Sequence, residues 1–299
     1  MTVSSYATRK ILLTGKNGQV GWELQRALAP LGEVVAVDRQ VLDLASPDSI
    51  RAVIREVKPQ LIVNPAAYTA VDKAESEPEL AHAVNAVAPG VMAEEAERLG
   101  AAMLHYSTDY VFDGSKEGAY TEEDRTNPCN VYGKTKLAGE EAVQGSGAAH
   151  IILRTSWVYG ARGKNFLLTM LRLAREREEL KIVADQIGAP TWSRMIAEAS
   201  AQILAQRIGH WHEMAGLYHF TAGGSTSWHG FASKIVELGE IPVKPRIVPI
   251  PTSEYPLPAV RPKNSILSNR KLATTFGLVM PEWEQSLRLC MERDGMAGS

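Results

Sequence analysis

Lys10-Ile11-Leu12-Leu13-Thr14-Gly15-Lys16-Asn17-Gly18-Gln19-Val20-Gly21-Trp22-Glu23-Leu24 places an apolar run, a glycine-rich turn and a helical pattern in immediate succession. Lys10 to Leu13 reads as a buried strand by its length and flanks. Gly15, Gly18 and Gly21 punctuate the turn, Trp22 to Leu28 has helical apolar spacing, and Pro30 closes it. Such a turn lets backbone N–H groups approach a pyrophosphate, which sits at the positive end of the helix. On its own a glycine triplet is weak evidence, since an ordinary tight turn uses the same residues. The next strand, Glu33 to Asp38, strengthens it, because it ends in an acid at the distance expected for a ribose-binding carboxylate. Strand, turn, helix and acid in register predict dinucleotide binding, with Gly15, Asn17, Gly18, Gln19, Val20 and Gly21 around the pyrophosphate. Asp38 favours NADH, because a carboxylate repels a 2′-phosphate, whereas Lys16 and Arg39 are cations suited to pairing with one. NADPH and NADH both stay open. Asp43-Leu44 follow where a loop covers an adenine, or where a strand simply connects to a helix.

Downstream the alternation continues. Pro47 to Val57 reads as a helix with Ser46 as N-cap and Pro47 at its first position. Leu61 to Asn64 is a third strand, and the Ala66-Ala67-Tyr68 stretch after it leaves room for a cofactor ribose or nicotinamide. Pro78 to Leu99 is one alanine-rich helix, on which Asn85 reads as a surface amide. Ala102 to Tyr106 is a fourth strand, ending in Ser107-Thr108-Asp109, and His150 to Arg154 a fifth. Open α/β sheets place ligands at such strand ends. After about residue 160 the alternation breaks down, although Leu217 to Phe220 reads as a strand returning to the first sheet. The expected architecture is α/β: a Rossmann-like doubly wound parallel sheet over residues 1–160, then a smaller C-terminal substrate-binding lobe over 161–299.

The chemistry rests on Asn130-Val131-Tyr132-Gly133-Lys134-Thr135-Lys136. On a helix Tyr132 and Lys136 share one face, a turn apart. A phenol has a reference pKa of about 10, and a nearby ammonium lowers it towards working pH. The pair is therefore a candidate proton donor and acceptor, although a bare Tyr-x-x-x-Lys also describes an aromatic packed on a lysine stem. Thr108, at the end of the neighbouring strand, brings a hydroxyl to the same edge and favours the chemical reading.

Bulk properties narrow the partners. The chain has 299 residues, 45% of them hydrophobic, and a net charge of −2 with no dense basic run, which argues against nucleic acid. No apolar run reaches the roughly 18 residues of a membrane span, and Met1 to Arg9 does not read as a signal peptide. Cys129 and Cys290 form no disulfide framework, pointing to a reducing cytoplasm. Gly133-Lys134-Thr135 has Pro128 where a P-loop requires glycine, and His212-Glu213 lacks a second zinc-protease histidine. His210, His212 and His219 read as structural, and no catalytic metal is expected.

Together the glycine turn, Ser107-Thr108 and Tyr132-x-x-x-Lys136 resemble the extended short-chain dehydrogenases/reductases. Gly15 to Leu24, Thr69 to Glu75, His105 to Phe112, Asn130 to Gly139, Arg154 to Tyr159 and Asp185 to Thr191 more closely resemble the dTDP-4-dehydrorhamnose reductase family. The resemblance implies reduction of the C4 ketone of dTDP-4-dehydro-β-L-rhamnose by NADPH or NADH in a cytoplasmic monomer or homodimer. It implies Tyr132 as proton donor, Lys136 as the ribose-binding residue that tunes it, and Thr108 as hydrogen-bond donor to the carbonyl. Asn17 to Val20, Asp38, Asp43-Leu44 and Ala66 to Tyr68 would line the cofactor. Val71, Asp109 and Trp157 would meet the sugar, and Arg261 would face the diphosphate. Some family members bridge a dimer with Mg²⁺ through glutamates. One such position corresponds to Glu23, but the second falls at Arg194, where a cation cannot ligate a metal. An epimerase or dehydratase shares the main motifs, but a dehydratase needs an acid pair where Asp109-Tyr110 stands. A regulatory subunit resembling the β subunit of methionine adenosyltransferase is the remaining alternative.

Overall fold

A computed structural model describes residues 9–206 and 211–293. The expectations for residues 1–8, for Arg207 at a helix end and for His210 lie outside the described residues. Elements follow in the order β1 (Lys10–Leu13), α1 (Gln19–Ala27), β2 (Glu33–Ala36), α2 (Pro47–Val57), β3 (Leu61–Asn64), α3 (Val71–Ala74) and α4 (Pro78–His82). A π-helical turn (Ala83–Val87) leads into α5 (Ala88–Leu99), then β4 (Ala102–Thr108), α6 (Val131–Gln144), β5 (Ala149–Thr155) and β6 (Val158–Tyr159). The later part contains α7 (Phe166–Glu176), β7 (Glu179–Val183), β8 (Ile187–Gly188), β9 (Thr191–Trp192), α8 (Ser193–Gln206) and β10 (Gly216–His219). It ends with β11 (Thr226–Ser227), α9 (Trp228–Leu238), β12 (Arg246–Ile250), α10 (Arg270–Phe276) and α11 (Trp283–Arg293).

Six strands form the main sheet in the order β2-β1-β3-β4-β5-β10, and every pairing is parallel. The order reverses between β1 and β3, which creates the crevice where such sheets bind ligands. β10 does return to this sheet, pairing along Ile151 to Arg154 of β5. Strands buried on both faces explain the near-continuous apolar runs. One face packs Ile11, Leu13, Leu104 and Leu153 against α1, α8 and α10 through Leu24, Ile203 and Leu272. The other packs Leu12, Ile62 and Met103 against α2 and α5 through Ile50, Ile54 and Met92. A separate core of Tyr159, Leu167, Phe231, Trp283 and Leu287 joins α7, α9 and α11.

Local chemistry shapes the ends of these elements. The Ser46 side chain accepts from Ser49 N–H with Pro47 at the first helical position, and Asn130, Asn165 and Ser227 cap α6, α7 and α9 in the same way. The expected single helix from Pro78 to Leu99 instead contains the π-helical turn. Pro89 has no N–H and its ring crowds the carbonyl of Asn85, and the wider turn accommodates both. Asn85 is thereby turned inward. It is buried rather than a surface amide, which corrects the reading from sequence.

Candidate active site

The glycine turn closes tightly over the β1 end of the crevice. Gly15 has φ +63°, and a Cβ there would lie 2.9 Å from the Ala66 Cβ. A Cβ on Gly21 would lie 2.1 Å from the Gly15 carbonyl oxygen. These two positions keep the turn low against α1 and against the loop after β3. Gly18 occupies the N-cap of α1 without a side-chain hydrogen bond, so the first N–H groups of α1, from Gln19 to Gly21, receive no side-chain acceptor from their cap. A narrow turn beneath an uncapped helix end suits a pyrophosphate, so these residues fit a dinucleotide. The Gln19 side chain accepts from Asn165 Nδ2 at 2.9 Å, tying the turn to the start of α7.

At the edge of the crevice Asp38 forms an ion pair with Lys16 at 3.1 Å and accepts from Asn17 Nδ2 at 3.2 Å. The Lys16 hydrogen bond, with further help from Gln40 N–H, holds its carboxyl below the usual range. Arg39 beside it is exposed. Asp43 accepts from Ala45 N–H at 3.0 Å in the connection to α2, while Leu44 packs on the core. Ala66, Ala67 and Tyr68 line the end of β3. Their backbone is fixed by Asn85, whose Oδ1 accepts from Tyr68 N–H at 2.8 Å while its Nδ2 donates to the Tyr68 carbonyl at 3.0 Å. The Tyr68 phenol donates to Glu77 at 2.6 Å.

At the carboxyl end of β4 the structure brings Thr108, Asp109 and Tyr132 together. The Thr108 hydroxyl donates to Asp109 Oδ1 at 2.9 Å, and its hydrogen-bonding interaction with the Tyr132 phenol favours the phenolate. Burial nevertheless pushes Tyr132 up to about 12, and the Asp109 charge adds to the rise. The lysine does not reverse this, contrary to the expectation from spacing. Lys136 is 2% exposed, and its ammonium donates to the Tyr106 carbonyl at 2.6 Å and lies 3.3 Å from His105 Nε2. Burial lowers Lys136 to about 8, with Glu140 opposing. Asp109 is 2% exposed and pushed up to about 6 by burial; Ser265 draws it back from nearby, although Oδ2 makes no hydrogen bond of normal geometry.

The remaining residues frame this edge. Val71 begins α3, a half-buried position beside Asp72. Arg261, expected to face a diphosphate, makes a bidentate pair with Asp72 at 2.6 and 2.7 Å and donates to the Ala259 carbonyl. Asn130 Nδ2 donates to the Val260 carbonyl at 2.7 Å, so the late proline-rich segment is strapped to the start of α6. Trp157 has φ +46° and stacks face to face on Trp228, with centroids 3.5 Å apart. Arg194 pairs with Glu198 at 2.5 Å along α8. His219 is buried, donates from Nδ1 to the Tyr120 carbonyl at 3.1 Å, and lies beside Arg154, which pairs with Glu140. No group of residues suited to holding a metal ion occurs among the described residues, and no described helix is long and apolar enough to cross a membrane. Sequence reasoning missed Asn85, His105 and Asn64; for Asn85 the signal was Pro89 inside a helical run.

Comparison with known proteins gives concordant results. The family model described as RmlD substrate binding domain matches residues 9–296. The dTDP-4-dehydrorhamnose reductase of Burkholderia thailandensis is 53% identical over 291 residues, covering 94% of this chain and 98% of its own. The structure of dTDP-4-dehydrorhamnose reductase from Bacillus anthracis, solved in complex with NADP, superposes with a TM-score of 0.89 at 36% identity, covering 96% of this chain and 99% of that one. A Thermus thermophilus UDP-glucose 4-epimerase complexed with NAD has a TM-score of 0.80 at 19% identity, covering 96% and 99%, and shares the fold.

Proposed function

This chain belongs to the RmlD substrate binding domain family, and from that premise we propose that it reduces the C4 ketone of dTDP-4-dehydro-β-L-rhamnose to give dTDP-β-L-rhamnose, the last step of dTDP-L-rhamnose biosynthesis. The observation that carries this reading is 53% identity, over 94% of the chain, to a dTDP-4-dehydrorhamnose reductase. NADPH or NADH, when bound, supplies the hydride. The chain's own residues bind, orient and protonate. The uncapped end of α1 and the glycine turn hold the pyrophosphate. Asp38, Lys16 and Arg39 meet the adenosine ribose, and Lys136 the nicotinamide ribose. The Thr108 hydroxyl, turned from Asp109 when the sugar binds, donates a hydrogen bond to the ketone oxygen, a dipole aimed at the developing charge.

Tyr132 then gives its phenolic proton to the C4 oxygen. With its pKa pushed up to about 12 the group is fully protonated at neutral pH, the form a proton donor needs. The Lys136 ammonium stabilises the phenolate that is left. The second core, formed by α7, α9 and α11, serves as the substrate-binding lobe, with Asp109, Val71 and Trp157 towards the sugar. Arg261 acts through Asp72 to hold the strap at the site's rim. The enzyme works in the cytoplasm, as a monomer or homodimer, on a nucleotide sugar.

The test is oxidation of NADPH and of NADH, with the ketosugar generated in situ. Rapid oxidation that depends on the ketosugar supports the reading and ranks the cofactors. Cofactor binding without oxidation would instead favour a regulatory role or a different ketosugar.

A further inference from the structure

A line of buried polar groups runs from the end of β1 across β3 and β4 to α6, the helix that carries Tyr132. Thr14 Oγ1 lies 2.6 Å from Asn64 Oδ1, Asn64 Nδ2 3.2 Å from His105 Nδ1, and His105 Nε2 3.3 Å from Lys136 Nζ. Thr14 follows β1, Asn64 and His105 are register partners on β3 and β4, and Lys136 comes from α6. Thr14, Asn64 and His105 are each 1% exposed and Lys136 2%. The line starts at Thr14, the residue before Gly15, and it ends on the lysine assigned to Tyr132.

Charge at Lys136 decides which way the hydrogens run. An ammonium only donates. One of its protons goes to the Tyr106 carbonyl at 2.6 Å, and a second reaches His105 only where Nε2 is unprotonated. A neutral imidazole then carries its proton on Nδ1 and needs an oxygen from Asn64. The Asn64 main-chain carbonyl interacts with the ring, and a half-turn of the side-chain amide presents its oxygen and directs its nitrogen to Thr14. Burial, reinforced by the Lys136 charge, holds His105 neutral.

We infer that His105 is a positioning residue for the reduction: as the Nδ1–H tautomer, fixed by Asn64 and Thr14, it offers Nε2 as the second acceptor that holds the Lys136 ammonium beneath Tyr132. This rests on the reading that Lys136 serves Tyr132. The other charged groups around Lys136 do not supply this acceptor. Glu140, one turn along α6, is engaged by Arg154 of β5 at 2.6 and 2.9 Å. Tyr132 on the same helix is a protonated phenol, and Asp109 at the end of β4 accepts from Thr108. A hydrogen bond to the charged form of a group favours that form, so His105 raises the proton affinity of Lys136 against the effect of burial.

The experiment compares wild type with His105→Leu and His105→Gln from about pH 6 to 9.5, separating kcat from KM. Leucine fills the space without an acceptor, whereas glutamine reaches the Nε2 position with an amide oxygen. The basic limb of kcat reports loss of the Lys136 proton. It should move down by about one pH unit in His105→Leu and return towards wild type in His105→Gln, with the KM for the sugar within about twofold. A limb that stays in place, or a glutamine variant no better than leucine, overturns the proposal. Nitrogen NMR of the histidine-labelled wild-type protein supplies a readout that does not depend on the leucine variant folding, with His105 assigned by its absence in His105→Gln. An Nδ1–H tautomer is expected, and an Nε2–H tautomer overturns the proposal. Since NMR needs no turnover, failure to reduce the ketosugar counts against the functional reading alone, and normal turnover with an unmoved limb counts against His105 alone.

Discussion

At Tyr132 two effects oppose each other, and burial, helped by the Asp109 charge, wins over the Thr108 hydrogen bond. Tyr132→Phe keeps the ring and removes the proton, so kcat should fall by about 10²- to 10⁴-fold while the cofactor dissociation constant stays within about threefold. Near wild-type turnover in that variant would end the proton-donor assignment. Asp38 makes a second case. Its carboxylate occupies Lys16, so Asp38→Ala both removes a repulsive charge and releases a cation for a 2′-phosphate. The ratio of NADPH to NADH efficiency should rise by about tenfold or more. An unchanged ratio would place Asp38 away from the ribose. The sequence singled out both residues, Asp38 by its place at a strand end and Tyr132 only once Thr108 on the neighbouring strand joined its spacing to Lys136. The direction of the Tyr132 shift was not legible, because burial depends on which elements pack around the ring. His105 escaped for the same reason, since a histidine in a buried strand declares nothing until its register partner Asn64 and the facing lysine are known.

Among the elements, α1 and the turn before it were the clearest in the sequence. Glycine spacing is a backbone signal and survives without any knowledge of tertiary contacts. Its consequence can be measured. Gly21→Ala places a Cβ 2.1 Å from the Gly15 carbonyl, so α1 must lift off the turn. The variant should lose about 1–3 kcal/mol of stability in denaturant unfolding and bind NADPH at least tenfold more weakly. Wild-type affinity in that variant would remove the turn from the cofactor site. The rod from α4 to α5 was less legible. Alanine-rich periodicity points to a uniform helix, and only Pro89 marks the turn that swings Asn85 towards Tyr68 and Thr135. Side-chain reach, which periodicity does not encode, decides that Asn85 organises the loop after β3.

For the whole molecule, the parallel sheet and the return of β10 were readable, since buried parallel strands carry their own apolar signature. The division of the later helices was not, because apolar spacing does not say which partner a helix meets: α8 and α10 pack on the main sheet, while α7, α9 and α11 form the separate core. His219, at the end of β10, links the sheet to the loop carrying Tyr120. Burial, with the Arg154 charge, lowers its pKa to about 3 from the usual 6.5. The unfolded chain therefore binds a proton here that the native state does not, so stability falls as pH drops from about 6.5 towards 3. The Tm should decrease between pH 7 and pH 5, and the decrease should be smaller in His219→Gln. An equal decrease in both proteins would assign the acid sensitivity elsewhere.

The stacked indoles of Trp157 and Trp228 join the end of the main sheet to the first turn of α9. At 3.5 Å and nearly parallel, their excited states are shared rather than separate, so the pair behaves as one chromophore distinct from the chain's other tryptophans. The molecule therefore carries an intrinsic optical gauge across its two cores. A change in their relative placement as a sugar enters will register in near-ultraviolet circular dichroism without any added label.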